Sequence, residues 1–182
     1  LLLSSSLYLF VALCAAGFRE YGDEPSFKHW ANQAHQLGIH NAYQWGYDWL
    51  PLYLYVAKSV GWAYHCLGFA SWFGDYSRAL TFALKVTMIA LSAGFGVVVW
   101  HLASHANVNA LRACRYCAYC PGLLLATGAF GYQDAFHTLI VTVAILYAIR
   151  GSGPVALGFA WAACLTKPQA TIYIIPVLFY FF

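Results

Sequence analysis

The chain has 182 residues, of which 62% are hydrophobic, 19% aromatic and 8% charged, with a formal net charge of +3. An average soluble domain carries about 25% charged residues, so a water-facing surface is excluded and the chain reads as an integral membrane protein. Its nine Lys and Arg are scattered without a basic run, which gives no footprint for nucleic acid and leaves membrane lipid as the surroundings.

The opening "LLLSSSLYLFVALCAAG" has the apolar core of a signal peptide but no basic leader, so a transmembrane helix over 1–18 is the better reading. Residue 1 is not Met, and "VLFYFF" ends the chain inside an apolar run. Residues 1–182 therefore read as one N-terminal transmembrane module of a longer protein, truncated at its C-terminus. A span needs about 20 apolar residues. Candidates are 1–18, 79–100, 111–129, 135–149, 155–166 and 170–182, which predicts an all-α, polytopic bundle of about six spans. The later ones are short, so their polar neighbours are expected at the interface or inside the protein.

Between the first two spans lies a long segment, about 19–78, that opens with "FREYGDEPSFKHW" and three of the six acidic residues. "DEPSFKHWANQAHQLG" predicts a short amphipathic helix, with Pro25 in its first turn and Gly38 at its stop. Phe27, Trp30, Ala31, Ala34 and Leu37 share one face at helical spacing, with Lys28, His29, Gln33 and Gln36 largely opposite. Such a helix is expected to lie along a membrane surface. Asp23 stands just before its N-terminus, where backbone N–H groups and the helix dipole favour an ionised carboxylate.

Residues 50–74 are long enough to cross, but Lys58 and His65 sit inside them. A Lys at mid-bilayer costs about 2.5–3.5 kcal/mol on insertion scales, and the many aromatics suit an interfacial helix. If 50–74 does not cross, Glu20, Asp23, Glu24, Asp48, Asp75 and Asp134 all fall on one side. Arg112 and Arg115 in a loop 101–115, and Arg150, fall on the other, which the positive-inside rule makes cytoplasmic.

"CRYCAYC" sets Cys114, Cys117 and Cys120 along one helix face, where Cys packs as a small apolar residue; a metal site is the weaker reading. His101 and His105 in "HLASH" have a spacing that can bind metal or haem, but they stand without the further clusters such centres need. Two polar islands remain. "FGYQDAFHTLIV" carries Gln133, Asp134 and His137, and "LTKPQATIYIIP" carries Lys167 and Gln169 around Pro168. The first could be a solvated helix cap and the second a loop with a snorkelling Lys. In the topology above, both emerge with Asp23 on the outer face, which points to a shared site.

These islands, in this order, resemble the membrane glycosyltransferases of the GT-C superfamily, which use polyprenyl-phosphate-linked sugars. Asp23, Phe27, Trp30 and Ala31 keep the spacing of that family's first external loop. "DWLPLYLY" at 48–55 is similar to its Asp-Tyr-Pro-Pro-Leu-Tyr segment, with Trp49 and Leu50 as departures. "GYQDA" is similar to its Gly-Gln-x-Asp-Ala signature, with Gln133 one position late, and the Thr-Lys-Pro-Gln-Ala stretch is kept whole at 166–170.

The resemblance implies an inverting hexosyl transfer on the non-cytoplasmic face of an endoplasmic reticulum or prokaryotic plasma membrane. Asp23 would be the general base. Gln133, Asp134 and His137 would contact sugar hydroxyls or the acceptor, and Lys167, Gln169 and Arg19 would bind substrate, with the cations offsetting phosphate charge. The partners it implies are a polyprenyl-phosphate sugar donor and a lipid-linked glycan or protein acceptor. No cofactor is expected; some relatives use a divalent metal. A transporter would use the same polar groups as a substrate path, and a noncatalytic relative would use them to bind a lipid-linked glycan.

Overall fold

The structure, a computed structural model, describes residues 2–15, 24–42, 51–68, 78–129, 134–167, and 172, 175 and 179. Every regular element among them is helical. The order is α1 (Leu2–Ala15), α2 (Glu24–Gln36), α3 (Ile39–Ala42), α4 (Pro51–Cys66), α5 (Arg78–His105), α6 (Ala110–Ala118), α7 (Pro121–Leu123), α8 (Asp134–Ile149) and α9 (Gly153–Cys164).

α5 is the spine, with α1, α2, α4, α6 and α8 all packed against it. Its 28 residues span about 42 Å at 1.5 Å per residue, close to the full thickness of a bilayer with its headgroups. Among the described residues it is the one helix long and apolar enough to cross a membrane, and only 28% of its most apolar stretch is buried. The core helix of a soluble protein would be mostly covered. α1, α8 and α9 are apolar but shorter. Phe10, Leu13, Trp100, Trp161 and Leu165 are exposed on the outside of the bundle, a distribution that water would penalise and lipid would not.

α2 and α4 form a tight pair at one end. Phe27, Trp30, Ala31 and Ala34 are buried with Tyr53, Leu54, Ala57, Val60 and Tyr64, and the same core takes in Leu80, Leu84 and Met88 of α5 and Ala135 of α8. Phe27 sits edge-on to Tyr53 with ring centroids 5.8 Å apart. The helices meet at Gly61, where a Cβ would lie 2.3 Å from the carbonyl oxygen of Ala31. The predicted apolar face of α2 is therefore present, but its surroundings differ from the expectation. Lys28 and Gln33, expected on a solvated face, are 3% and 0% exposed, and Asn32 is also buried. Over residues 27–34 α2 is enclosed on several sides, where the sequence predicted a helix lying on a membrane surface.

The expected loop 101–115 is largely helix. α5 runs on to His105, and the turn occupies only residues 106–109. Asn107 takes a left-handed φ of 56°, a conformation that Asn tolerates better than most residues. The N–H of Val108 then closes on the carbonyl of Ala103 at 2.8 Å, as in a Schellman stop. Asn109 caps α6 by accepting from the N–H of Arg112 at 2.9 Å. The expected continuous span 111–129 is broken: α6 ends at Ala118, Pro121 opens α7, and Leu124–Ala129 continue as a π-helical turn. Cys120 leaves the helix before Pro121, so the three cysteines do not share one helix face.

α8 and α9 form an antiparallel hairpin, with its turn at Arg150 between the expected spans 135–149 and 155–166. Gly151 adopts a φ of 76°, which a Cβ would strain, and Pro154 stands in the first turn of α9, where its missing N–H is no loss. The expected last span, 170–182, lies outside the described residues apart from Ile172, Ile175 and Phe179. These three are helical and exposed at a one-face spacing.

Candidate functional site

The hairpin sets the geometry of the site. Because α8 and α9 run antiparallel, the N-terminus of α8 and the C-terminus of α9 share one end of the bundle. Asp134 occupies the first turn of α8, the electropositive end of that helix dipole, and Lys167 follows the electronegative end of α9. The Lys167 ammonium donates to Asp134 Oδ1 at 2.6 Å. The side chains are 25% and 51% exposed respectively, so the pair faces open space and is not sealed in the core.

His137 lies one helical turn beyond Asp134. Its Nδ1 is 3.1 Å from Thr166 Oγ1, and the Thr166 hydroxyl in turn donates to the carbonyl of Ala163 at 2.6 Å. Residues 165–167 are wound tightly past the end of α9, with the N–H groups of Thr166 and Lys167 both directed to Ala163 O, at 3.0 and 3.3 Å. A third segment joins here. The N–H of Leu52, an orphan donor in the first turn of α4, bonds the carbonyl of Leu165 at 3.0 Å. Parts of "DWLPLYLY", "GYQDA" and the Thr-Lys-Pro-Gln-Ala stretch, distant in sequence, thus meet at one end of the bundle.

Of the residues predicted for the site, Asp134, His137 and Lys167 are brought together. Arg19, Asp23, Gln133 and Gln169 lie outside the described residues. The helix that follows Asp23 packs its Phe27 and Trp30 into the core that also holds Ala135, the neighbour of Asp134.

Two further polar features were missed by sequence reasoning. Thr166 is 3% exposed and stands in hydrogen-bond contact with His137, yet inside the quoted motif it drew no role. Lys85, 2% exposed, donates from Nζ to the carbonyl of Ala15 at 3.2 Å. That contact places a cation on the last turn of α1, where the dipole and unsatisfied carbonyls favour it, at the point where the first loop departs. It is the single charge in the apolar run 79–100, a signal that a charged residue within a membrane helix has a partner or a role.

His35 and His65 stack between α2 and α4 with centroids 4.5 Å apart. Burial, with the neighbouring His65 and Lys58, holds the His35 imidazole below its ordinary value, and burial does the same at His29. Further along α5 a cavity of about 40 Å³ is lined by Tyr8, Ser92, Cys114 and Cys117 among others. The Tyr8 and Ser92 hydroxyls are buried there without a hydrogen-bond partner, but the cavity holds none of the predicted site residues. Among the described residues no group of three or more His, Cys, Asp or Glu is disposed to hold a metal ion.

The fold and the end-on polar site define an all-helical bundle with an exposed ion pair and an oriented imidazole at one end. No family model, curated protein or solved structure matches the chain.

Proposed function

We propose that the chain belongs to a multi-pass membrane glycosyltransferase of the GT-C type. It would move a hexosyl group from a polyprenyl-phosphate donor to an acceptor hydroxyl at the non-cytoplasmic face. The observation that carries the reading is the meeting of Asp134, His137, Thr166 and Lys167 beside the start of α4. A sugar transferase of this kind needs hydroxyl-binding acceptors and a cation for phosphate at one wet end of an apolar bundle. The spacing of Asp23 to Phe27, Trp30 and Ala31 supports the same reading.

The acceptor oxygen attacks the anomeric carbon, the bond from that carbon to the phosphate oxygen breaks, and the electron pair leaves with the phosphate. The acceptor proton passes to the Asp23 carboxylate. The lipid phosphate is already a stable anion, so one carboxylate suffices, in contrast to the carboxylate pair of glycoside hydrolysis. Lys167 releases part of its hold on Asp134 to meet the phosphate, and Asp134 and His137 orient hydroxyls.

The test is reconstitution of the full-length protein in liposomes with polyprenyl-phosphate mannose or glucose and membrane-extracted acceptors, reading donor consumption. Asp23→Asn is expected to lower turnover by about 10²–10⁴-fold, the usual worth of a general base, with insertion intact. Parental turnover by that variant would refute the assignment.

A further inference from the structure

α8 runs parallel to α5. Ala135 shares a core with Leu84 and Met88, and a Cβ on Gly94 would meet Leu139 Cδ2 at 3.4 Å. Arg150 and His105 each stand eleven residues beyond that contact, about 16 Å further along at 1.5 Å per residue. They share the end of the bundle opposite the Lys167–Asp134 pair. α6 begins at the same end, after the turn 106–109. That end is basic: His101, His105, Arg112, Arg115 and Arg150 are all exposed. The acids that the structure describes, Glu24 and Asp134, open α2 and α8 at the other end.

Helix dipoles account for some of these cations. His105 and Arg150 close α5 and α8, whose C-terminal ends favour positive charge. Arg112 has the opposite setting. It stands in the first turn of α6, three positions after the cap Asn109, where the dipole disfavours a cation. Its guanidinium lies over the Tyr116 ring, 5.6 Å from the centroid, and its Nε and Nη2 donate to the Tyr116 hydroxyl at 3.4 and 3.2 Å. A phenol is neutral, so these contacts hold the guanidinium without offsetting its charge. Arg115 follows at the i+3 spacing that puts it on the same helix face. Leu111, Tyr116 and Tyr119 are interleaved with the two arginines and are exposed as well. The opposite face of α6 meets α5, where the Cys114 thiol donates to the carbonyl of Gly96 at 3.3 Å.

We infer that the outer face of α6 binds anionic phospholipid, with Arg112 and Arg115 taking the headgroup phosphates and Leu111, Tyr116 and Tyr119 lying in the membrane interface. The planar guanidinium fork matches a phosphate. A soluble anion would match the charge equally well but would leave the Leu and both Tyr side chains in water. The lipid interface accepts both, since aromatic rings collect at headgroup level and cations gather beside anionic lipid. The inference does not depend on the transferase reading.

The experiment uses the full-length protein in phosphatidylcholine bilayers, with a fluorophore on Cys120, exposed just past α6, in a background lacking the other cysteines. Quenching by spin-labelled phosphatidylglycerol is compared with quenching by spin-labelled phosphatidylcholine at equal mole fraction, which reads the local preference for the anionic lipid. The parent is expected to prefer phosphatidylglycerol at low salt and to lose the preference at high salt. Arg112→Gln combined with Arg115→Gln should lower the preference by roughly fivefold or more, the worth of one or two basic residues beside an anionic surface. Lys at both positions should keep most of it, and Arg150→Gln, off α6, should change it little. An unchanged preference in the Gln pair, a parent without preference, or a preference that follows Arg150 would overturn the inference. Should the Gln pair fail to insert, the parent decides: a preference insensitive to salt, or one abolished by inorganic phosphate but not by chloride of equal ionic strength, would overturn it too.

Discussion

The seam between α2 and α4 at Gly61 and Ala31 makes a quantitative prediction. In Gly61→Ala the new methyl would lie 2.3 Å from the Ala31 carbonyl oxygen, 2.9 Å from its carbon and 3.2 Å from His35 Cβ. An ordinary carbon–oxygen contact is about 3.3 Å, so α2 and α4 must part by roughly 1 Å. The obstacle is backbone and cannot rotate aside. Overpacking of this kind costs typically 1–3 kcal/mol. For a chain of this size 1 kcal/mol moves Tm by about 2–4 °C, so Gly61→Ala is expected to lower it by roughly 2–12 °C. The control is Gly158→Ala on the exposed side of α9, where nothing lies within 4 Å of the added methyl. There the helix gains from replacing Gly, by about 0.5–1 kcal/mol, and Tm should hold or rise slightly. Thermal unfolding of both variants in the same detergent measures the difference. Equal Tm values for Gly61→Ala and the parent would refute the tight α2–α4 seam.

Lys167→Met removes an ion pair whose carboxylate is half exposed. Such pairs contribute at most about 1 kcal/mol, so Tm should move little while donor turnover falls at least tenfold. A large loss of Tm with unchanged turnover would make the pair structural. Stability should also depend on pH through α2. His29 and His35 are held below their ordinary value of 6.5 by burial, so the unfolded chain takes up protons first as pH falls. Stability is full above that value and declines as pH drops through 6.5 toward the depressed folded values. Replacing both with Gln should flatten Tm between pH 7 and 5, as followed by thermal melts. Finally, Lys85→Met leaves the Ala15 carbonyl without its cation, and hydrogen exchange at the end of α1 should quicken relative to Lys85→Arg.

How much of this was legible in the sequence varies by element. The apolar face of α2 was, because Phe27, Trp30, Ala31 and Ala34 recur at helical spacing. The burial of Gln33 and Lys28 was not. Periodicity reports contrast between faces, and the groups that enclose a second face come from distant segments. The return of α9 on α8 was legible in the two apolar runs, 135–149 and 155–166, on either side of Arg150. The break between α6 and α7 was signalled by Pro121 and Gly122, yet the surrounding apolar run masked it. Asp134, His137 and Lys167 stood out as polar residues between apolar runs. Their placement at one face followed from the order of spans; the direct Lys167–Asp134 bond could not be read, since it depends on how closely the two helix ends are set side by side. Thr166 was hidden for a different reason: its contacts with His137 and Ala163 depend on how the chain winds past the end of α9, which composition does not encode.

The central claim is that Asp23 and Asp134 serve one site at the same face of the membrane. In a background lacking the six native cysteines, Asp23→Cys combined with Asp134→Cys in the full-length protein can be treated with a short bifunctional thiol reagent. The account predicts an intramolecular crosslink, and labelling of both positions by an impermeant reagent added from the non-cytoplasmic side. Labelling from opposite sides, or no crosslink when both thiols are reactive, would contradict it.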